Sequence, residues 1–200
     1  MTNGLIQPQL LLQICCAPDA SVVFERLRSS YDITGYFYNP NIHPKEEYDL
    51  RAEETMRLAE KMMIPMEPAP YDPQNWFAMT KGKESEPESG ERCRICIWMR
   101  LEKTAQFASE NNFNLFTTTL SVSPHKNADL INELGAEVSE IYGVEFLQAN
   151  FKKHDGYKRS LELCRLYNVY RQNYCGCLYS KENLEAETDE NDLLALPFGL

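Results

Sequence analysis

Residues 10–19, LLLQICCAPD, constrain the fold more than any other part of the chain. Their continuous apolar run is typical of a short strand that is buried on both faces of a parallel sheet. Pro18 ends that strand, and Asp19 is the predicted N-cap of a following helix. Cys15 and Cys16 are therefore predicted to lie at the carboxyl end of a strand, where α/β sheets bind ligands and a helix N-terminus favours thiolate. The alternative is that both thiols only fill the core.

Strand and helix patterns then alternate, which predicts an α/β fold with a mainly parallel sheet and helices on both faces. The further predicted strands are 32–38, 63–67 and 114–119, and the further predicted helices are 45–62, 92–111, 127–142 and 154–174. Residues 69–90 are predicted to be an irregular loop, either a functional lid or a disordered segment. The length suits one catalytic domain over residues 1–180, followed by an acidic, flexible tail over 181–200.

The chain carries seven cysteines and a formal net charge of −10. The N-terminus lacks a basic segment with an apolar run, and no stretch has the apolar length of a membrane span, so we expect a cytoplasmic protein without a membrane partner. Cysteines there more often bind metals or do redox chemistry than build a disulfide framework. The net charge disfavours nucleic acid, but outside the acidic runs at 84–91 and 181–192 the charges nearly balance.

Cys93 and Cys96 form a C-x-x-C motif at the start of a predicted helix. This spacing places both thiols on one side of a helical turn, where they can bind a metal or form a disulfide. With Cys15 and Cys16 they give four thiols, the number that a zinc ion or an iron–sulfur cluster requires. Adjacent side chains on a strand point apart, which favours a cluster over one zinc ion. A structural zinc site in an RNA-binding module is the alternative.

Cys175, Gly176 and Cys177 form the third sulfur motif. Two thiols that are separated by one glycine can close a strained and easily reduced disulfide ring. They could equally be two further metal ligands or two idle thiols. A thiol–disulfide oxidoreductase that works through this pair alone is a further functional class. Cys164 lies in an apolar helical stretch and is predicted to be a core residue.

Several polar residues follow the predicted strands or form a basic run. His43 is a candidate acid–base group in a loop, and Thr118 and Ser123 could hold a phosphate or another polar ligand at the sheet edge. Each has a plainer reading as a surface or strand residue. The basic run could meet nucleic-acid phosphates or be a solvated helix face, and it contains Lys152, Lys153, Lys158 and Arg159.

Taken together, these motifs resemble the QueH family of epoxyqueuosine reductases over about residues 10–180. The blocks that carry the resemblance are Cys15-Cys16-Ala17-Pro18, the segment 37–44 with Glu47, Tyr48 and Arg51, Cys93-x-x-Cys96 with Arg100, Thr117-Thr118-Thr119, Phe151-Lys152-Lys153 and Tyr174-Cys175-Gly176-Cys177. The resemblance implies a Rossmann-like (HUP-like) fold. It also implies an enzyme that reduces epoxyqueuosine at the tRNA wobble position to queuosine, the last step of queuosine biosynthesis, without cobalamin.

The resemblance further implies roles for individual residues. A [4Fe-4S] cluster would be bound by Cys15, Cys16, Cys93 and Cys96, and an additional iron ion is a further option. Cys175 and Cys177 would form a redox-active disulfide that relays electrons from a donor that the sequence does not identify. The candidate acids or orienting groups for the epoxide oxygen are Asp19, His43 and Tyr48. The phosphates of the tRNA anticodon loop would meet Lys152, Lys153, Lys158 and Arg159.

Overall fold

Five parallel strands form the sheet at the centre of the computed structural model, which describes residues 7–181. The strands are β1 (Gln9–Gln13), β2 (Asp32–Tyr36), β3 (Met66–Glu67), β4 (Leu115–Thr118) and β5 (Glu145–Phe146). They lie in the order β3-β2-β1-β4-β5. This arrangement confirms the predicted parallel α/β architecture. The predicted acidic tail falls almost entirely outside the described residues.

Helices cover both faces of the sheet. They are α1 (Ala17–Leu27), α2 (Lys45–Met62), α3 (Pro73–Thr80), α4 (Glu91–Glu110), α5 (Ala128–Tyr142) and α6 (Gly156–Tyr167), with a short 3-10 helix at Thr119–Val122. Helices α1, α2 and α6 pack on one face, whereas α4 and α5 pack on the other. Within residues 7–181, none of the helices combines the length and apolar character that crossing a membrane requires.

Strand β1 is buried on both faces, as its apolar run predicts. Leu10 and Leu12 belong to the core under α1, α2 and α6, whereas Leu11 belongs to the core under α4 and α5. The predicted helix cap at Asp19 is wrong, because Cys16 is the N-cap residue of α1. The side chain of Asp19 lies in the first helical turn and turns toward the cysteines instead of closing the helix end.

Most predicted elements are present, with shifted ends. The predicted helix over 45–62 is confirmed with its boundaries, while α6 ends at Tyr167 because Asn168 adopts a left-handed backbone. The prediction of an irregular segment over 69–90 is wrong in its first half, which contains α3. Asp72 caps that helix by accepting a hydrogen bond from the backbone N–H of Asn75 at 3.2 Å, and Pro73 is suited to the first helical turn.

The strand order creates a switch point beside β1. From β1 the chain adds β2 and β3 on one side, and it adds β4 and β5 on the other side. The loops that follow β1 and β4 therefore diverge at the carboxyl edge and leave a crevice between them, which is where open α/β sheets bind ligands. Cys15 and Cys16 follow β1, and Thr119 follows β4.

Candidate active site

Six of the seven cysteines line one cavity of about 90 Å³ at this crevice. They come from the loop after β1, the first turns of α4 and the segment after α6, and they are Cys15, Cys16, Cys93, Cys96, Cys175 and Cys177. All are free thiols in this structure. The seventh, Cys164, is buried in the apolar core, as predicted. The fold thus brings the third sulfur motif to the same cavity as the first two.

Cys15, Cys16 and Asp19 form a group of potential metal ligands, whose ligand atoms lie within 4.8 Å of one another. The Cys15 thiol donates to Oδ2 of Asp19 at 3.2 Å, and the Thr119 hydroxyl donates to Sγ of Cys15 at 3.1 Å. The hydrogen bond with Cys16, followed by burial, raises the pKa of Cys15, and burial together with Cys15 raises the pKa of Asp19. A cation would favour the deprotonated forms of these groups.

The C-x-x-C motif lies at the start of α4 and lines the same cavity. Cys96 is buried, and Cys93 is half-buried and accepts a hydrogen bond from the backbone N–H of Ser89 at 3.3 Å. Burial raises the pKa of Cys93. Both residues line the cavity that Cys15 and Cys16 also line.

Cys175 and Cys177 differ in acidity. The hydrogen bond with Cys177 lowers the pKa of Cys175 to about 5, and the positive charge of Lys126 acts in the same direction. The same hydrogen bond raises the pKa of Cys177. A thiolate beside a thiol is the arrangement that supports thiol–disulfide chemistry.

The turn through these two cysteines is held by the loop after β2. Gly176 has a φ of +106°, in the left-handed region that favours glycine. Its carbonyl accepts a hydrogen bond from the backbone N–H of His43 at 2.7 Å, and the Tyr174 hydroxyl donates to the His43 carbonyl at 2.6 Å. Two hydrogen bonds to the backbone of His43 therefore hold the turn in position.

Arg51 is a second anchor of this turn, and the sequence assigns it no role beyond the family resemblance. It is only 2% exposed, and it donates from Nη1 to the Cys175 carbonyl and from Nη2 to the Tyr174 carbonyl, both at 3.2 Å. Glu47, one helical turn earlier on α2, accepts a hydrogen bond from Arg51 Nε at 2.7 Å and holds the guanidinium in place. In the sequence, the spacing of four residues between Glu47 and Arg51 on a predicted helix indicates this ion pair.

A larger cleft of about 660 Å³ adjoins the cysteine cavity. The two share lining residues, namely Asp19, Arg92, Cys93, Ser123, Lys126, Gln172, Cys175 and Cys177. The outer part of the cleft adds Arg171 and Tyr174. A group that is bound in the cleft would thus reach the thiols directly. Among the predicted polar residues, Asp19 and Ser123 lie in the shared wall.

Lys126 is a cation in that shared wall which sequence patterns do not single out. Its Nζ pairs with Oε1 of Glu88 at 3.1 Å. Burial acts to lower the pKa of Lys126, but the negative charges of Cys175, Cys93 and Glu88 outweigh burial and raise it. Lys126 therefore remains charged beside the thiols.

Other predicted site residues lie behind the wall or away from it. Thr118 is buried, and its hydroxyl donates to Oε1 of Gln13 at 2.6 Å, which joins β4 to β1. Tyr48 packs against the rings of Phe37 and Tyr71. The ring of His43 packs against Trp76 and Phe77, and burial lowers its pKa.

The predicted basic run is only partly available to a ligand. Arg159 pairs with Glu25 at 2.7 Å and with Glu162 at 2.8 Å. The Nζ of Lys152 donates to the Lys126 carbonyl. The exposed cations of the run are Lys153 and Lys158.

Four buried polar atoms of the cavity lining have no hydrogen-bond partner among the described residues. They are Asn41 Oδ1, Trp76 Nε1, Arg92 Nε and Gln172 Oε1. Leaving such a group unpaired costs about 1–3 kcal/mol, so the cavity is built for a polar guest. The thiolates and the two donors among these atoms, Trp76 Nε1 and Arg92 Nε, fit an iron–sulfur cluster, because thiolates ligate its iron atoms and N–H donors can hydrogen-bond to its sulfur atoms.

Comparisons with known proteins agree with the sequence motifs. The family model for epoxyqueuosine reductase QueH matches residues 10–183. The chain is 42% identical over 181 residues to epoxyqueuosine reductase QueH of Streptococcus pyogenes serotype M1, covering 88% of this chain and 71% of that protein. Its identity to the enzyme of the same name from Thermotoga maritima is 36% over 174 residues, covering 86% of this chain and 89% of that protein.

Among solved structures, the chain is similar to the U34-tRNA thiolase NcsA from Methanococcus maripaludis with its [4Fe-4S] cluster. The TM-score is 0.55, and the alignment covers 97% of this chain and 70% of that chain. The sequence identity is 12%. This likeness concerns the fold and supports the HUP-like architecture.

Proposed function

Because this chain belongs to the QueH family of epoxyqueuosine reductases, we propose that it reduces epoxyqueuosine to queuosine at the tRNA wobble position with an iron–sulfur centre and a redox-active cysteine pair. The observation that carries the proposal is the convergence of six cysteines on one cavity at the switch point of the sheet. A tRNA substrate follows from the pathway in which the family acts.

The cluster ligands in this proposal are Cys15, Cys16, Cys93 and Cys96, because all four line the same cavity, from the loop after β1 and the start of α4. When bound, the cluster supplies a one-electron carrier and Lewis-acidic iron beside the substrate. The unpaired N–H groups of Trp76 and Arg92 suit the sulfur atoms of such a cluster, which accept hydrogen bonds. The neighbouring NcsA structure holds a [4Fe-4S] cluster on a similar fold.

Oxidation of Cys175 and Cys177 to a disulfide supplies the electrons and protons that one turnover consumes. Removal of the epoxide oxygen as water takes up two electrons and two protons and leaves an alkene. Oxidation of the two thiols to a disulfide releases two electrons and two protons. An external two-electron donor then returns the disulfide to the dithiol. The low pKa of Cys175 makes it the better leaving group when a donor reduces the disulfide, so Cys175 is released as the thiolate.

Asp19 is the candidate acid that would protonate the departing epoxide oxygen. It lies in the wall shared by the cavity and the cleft, and burial holds its carboxyl group in the protonated form more than usual. The same position also suits a ligand of an additional iron ion, together with Cys15 and Cys16. His43 and Tyr48 line neither space. We therefore assign His43 a positioning role through its backbone contacts with the cysteine turn, and Tyr48 no direct role.

The adjoining cleft is the proposed site of the modified nucleotide. Lys126 and Arg171 line it and offer positive charge to phosphate oxygens. Gln172 lines both spaces, and its buried Oε1 is free to accept a hydrogen bond from the ligand, because no described residue donates to it.

The decisive experiment is anaerobic purification, followed by a visible spectrum and counts of iron and acid-labile sulfide. We expect a brown protein with about four irons and four sulfides per chain. Cys93→Ser should lose most of both, whereas the matched control Cys164→Ser should keep them, because Cys164 is a core residue outside the cavity. The wild-type protein should then convert epoxyqueuosine tRNA in the presence of dithionite. A colourless protein with one zinc ion would overturn the cluster.

A further inference from the structure

Trp76 on α3 is fully buried, and yet its indole N–H has no acceptor among residues 7–181. The ring packs against His43, Phe77 and Tyr179, and Trp76 forms a small buried cluster with Cys96, Met99 and Cys177. Trp76 also lines the cysteine cavity. The indole is therefore held rigidly between a proposed cluster ligand and the proposed redox pair.

The unpaired indole N–H points to a function, because a side chain without a polar atom could fill the same space without leaving a buried donor unpaired. A phenylalanine ring would supply similar packing without a buried donor, and a buried donor without a partner is unfavourable. The sulfur-lined cavity is the space against which Trp76 packs. The structure thus indicates that a group bound in the cavity accepts the hydrogen bond from the Trp76 indole N–H.

We propose that Trp76 Nε1–H donates a hydrogen bond to a sulfur atom of the iron–sulfur cluster and thereby raises its reduction potential. This inference rests on the proposed function, since it requires the cluster. The physical reason is that a donor stabilises the more negatively charged, reduced cluster more than the oxidised one. Arg92, whose buried Nε–H is also unpaired, lines the same cavity from α4 and acts in the same sense.

The first test is Trp76→Phe, measured by a redox titration monitored by electron paramagnetic resonance. We expect a lower midpoint potential, corresponding to roughly a tenfold change in the equilibrium constant for one-electron reduction, or about 59 mV. Trp98→Phe is the matched control, because Trp98 is half-buried against a different core cluster, between α4, α5 and the sheet, and is not a lining residue of the cysteine cavity. Its potential should equal that of the wild type. Equal potentials in all three proteins would overturn the inference.

A second measurement works even if Trp76→Phe fails to fold or to hold the cluster. The chain has two tryptophans, so the Trp98→Phe protein, grown with tryptophan labelled with ¹⁵N in the indole ring, carries the label at Trp76 alone. After reduction with dithionite, pulsed electron paramagnetic resonance should detect a ¹⁵N coupling to the cluster. A cluster signal without that coupling would overturn the hydrogen bond alone, whereas a wild-type protein without any cluster would overturn the proposed function as well.

Discussion

Gly176 shows how a single backbone conformation can control the chemistry of its neighbours. It lets the chain turn tightly enough for Cys175 and Cys177 to hydrogen-bond, and its positive φ is the conformation that side chains rarely adopt. A Cβ atom at this position would lie 2.8 Å from Cγ1 of Ile42 and 3.0 Å from Nη1 of Arg51. The geometry of the cysteine pair thus depends on the absence of a side chain between them.

We therefore predict that Gly176→Ala loses most of its reductase activity while it keeps its iron. Backbone strain of about 1–3 kcal/mol, together with the clash, should displace the turn, but the four proposed cluster ligands lie elsewhere. The measurement is turnover of epoxyqueuosine tRNA, with iron counted in the same sample. Gly82→Ala is the control, because Gly82 also has a positive φ (+80°) but no heavy atom within 4 Å of the added Cβ. Full activity in Gly176→Ala would contradict the prediction.

Arg51 acts on the same turn through its forked guanidinium. Lysine would keep the charge but could not reach both carbonyls in the same geometry. We expect Arg51→Lys to change the equilibrium between the Cys175–Cys177 dithiol and disulfide, measured against dithiothreitol, and to lower activity by about tenfold.

Arg57→Lys is the matched control for this prediction. Arg57 also lies on α2 and donates to two carbonyls, those of Tyr167 and Asn168, but these belong to the end of α6. The control should lose stability and keep the dithiol equilibrium of the wild type. If the two variants shift that equilibrium equally, Arg51 has no specific positioning role.

Helix α3 illustrates, at the scale of elements, which parts of the fold could be predicted. The long helices α2 and α4 have strong patterns and were predicted to within a residue. Helix α3 is only eight residues long and follows several prolines, so its pattern was hidden within an apparently irregular segment. Strand β5 has two residues and leaves no periodic signal.

The candidate site divides in the same way. That the cysteine motifs after β1 and at the start of α4 share one cavity agrees with the prediction of a common site, which rested on their count of four thiols and on the family resemblance. The approach of Cys175 and Cys177 to the same cavity could not be predicted, because it depends on tertiary contacts of the segment after α6 with α2. Trp76 and Lys126 were hidden for the same reason, since neither belongs to a chemical motif.

The contact between α2 and the end of α6 should make stability depend on pH. Glu54 accepts hydrogen bonds from Arg57 and, at 2.8 Å, from the backbone N–H of Tyr170. These contacts, with Arg57 first, lower the pKa of Glu54. A lowered pKa in the folded state gives stability that is present above the ordinary value of 4.5 and is lost as the pH falls through the folded value.

We predict that Glu54→Gln lowers the free energy of unfolding by about 1 kcal/mol at pH 7, because the pair is partly exposed. The difference from the wild type should shrink as the pH falls below the ordinary value of 4.5 and the wild-type carboxylate, with its lowered pKa, also becomes protonated. Urea unfolding at several pH values measures it. Glu53→Gln, an exposed change on the same helix, should show no such trend. A difference that stays constant with pH would contradict the prediction.

At the scale of the whole molecule, the arrangement of charge reconciles an acidic protein with a tRNA substrate. Two of the four acids in the run at 84–91 are paired with lysines, Glu91 with Lys83 and Glu88 with Lys126, which reduces the negative charge beside the cleft. The buried Arg92 guanidinium donates hydrogen bonds to three backbone carbonyls of the segment before α4, those of Lys83, Glu84 and Glu86. These contacts favour a structured wall of the cleft over a disordered segment.

The remaining cations near the cleft define where tRNA should bind. Lys153 and Lys158 are exposed and follow the segment that contacts the 3-10 helix after β4. By contrast, Lys61 and Lys103 lie in the second halves of α2 and α4, toward the opposite edge of the sheet, because both helices begin at the carboxyl edge of the strands. The two pairs of lysines therefore carry the same charge at opposite edges of the molecule.

We predict that the double change Lys153→Ala and Lys158→Ala weakens tRNA binding and lowers its dependence on salt. Each lost phosphate contact should reduce the slope of log K against log salt concentration by about 0.7–0.9. Binding titrations with tRNA at several salt concentrations measure this slope. The double change Lys61→Ala and Lys103→Ala alters the net charge equally and should leave the slope unchanged. If both double variants lower the slope by the same amount, binding responds to net charge alone, and the tRNA does not approach over the cleft.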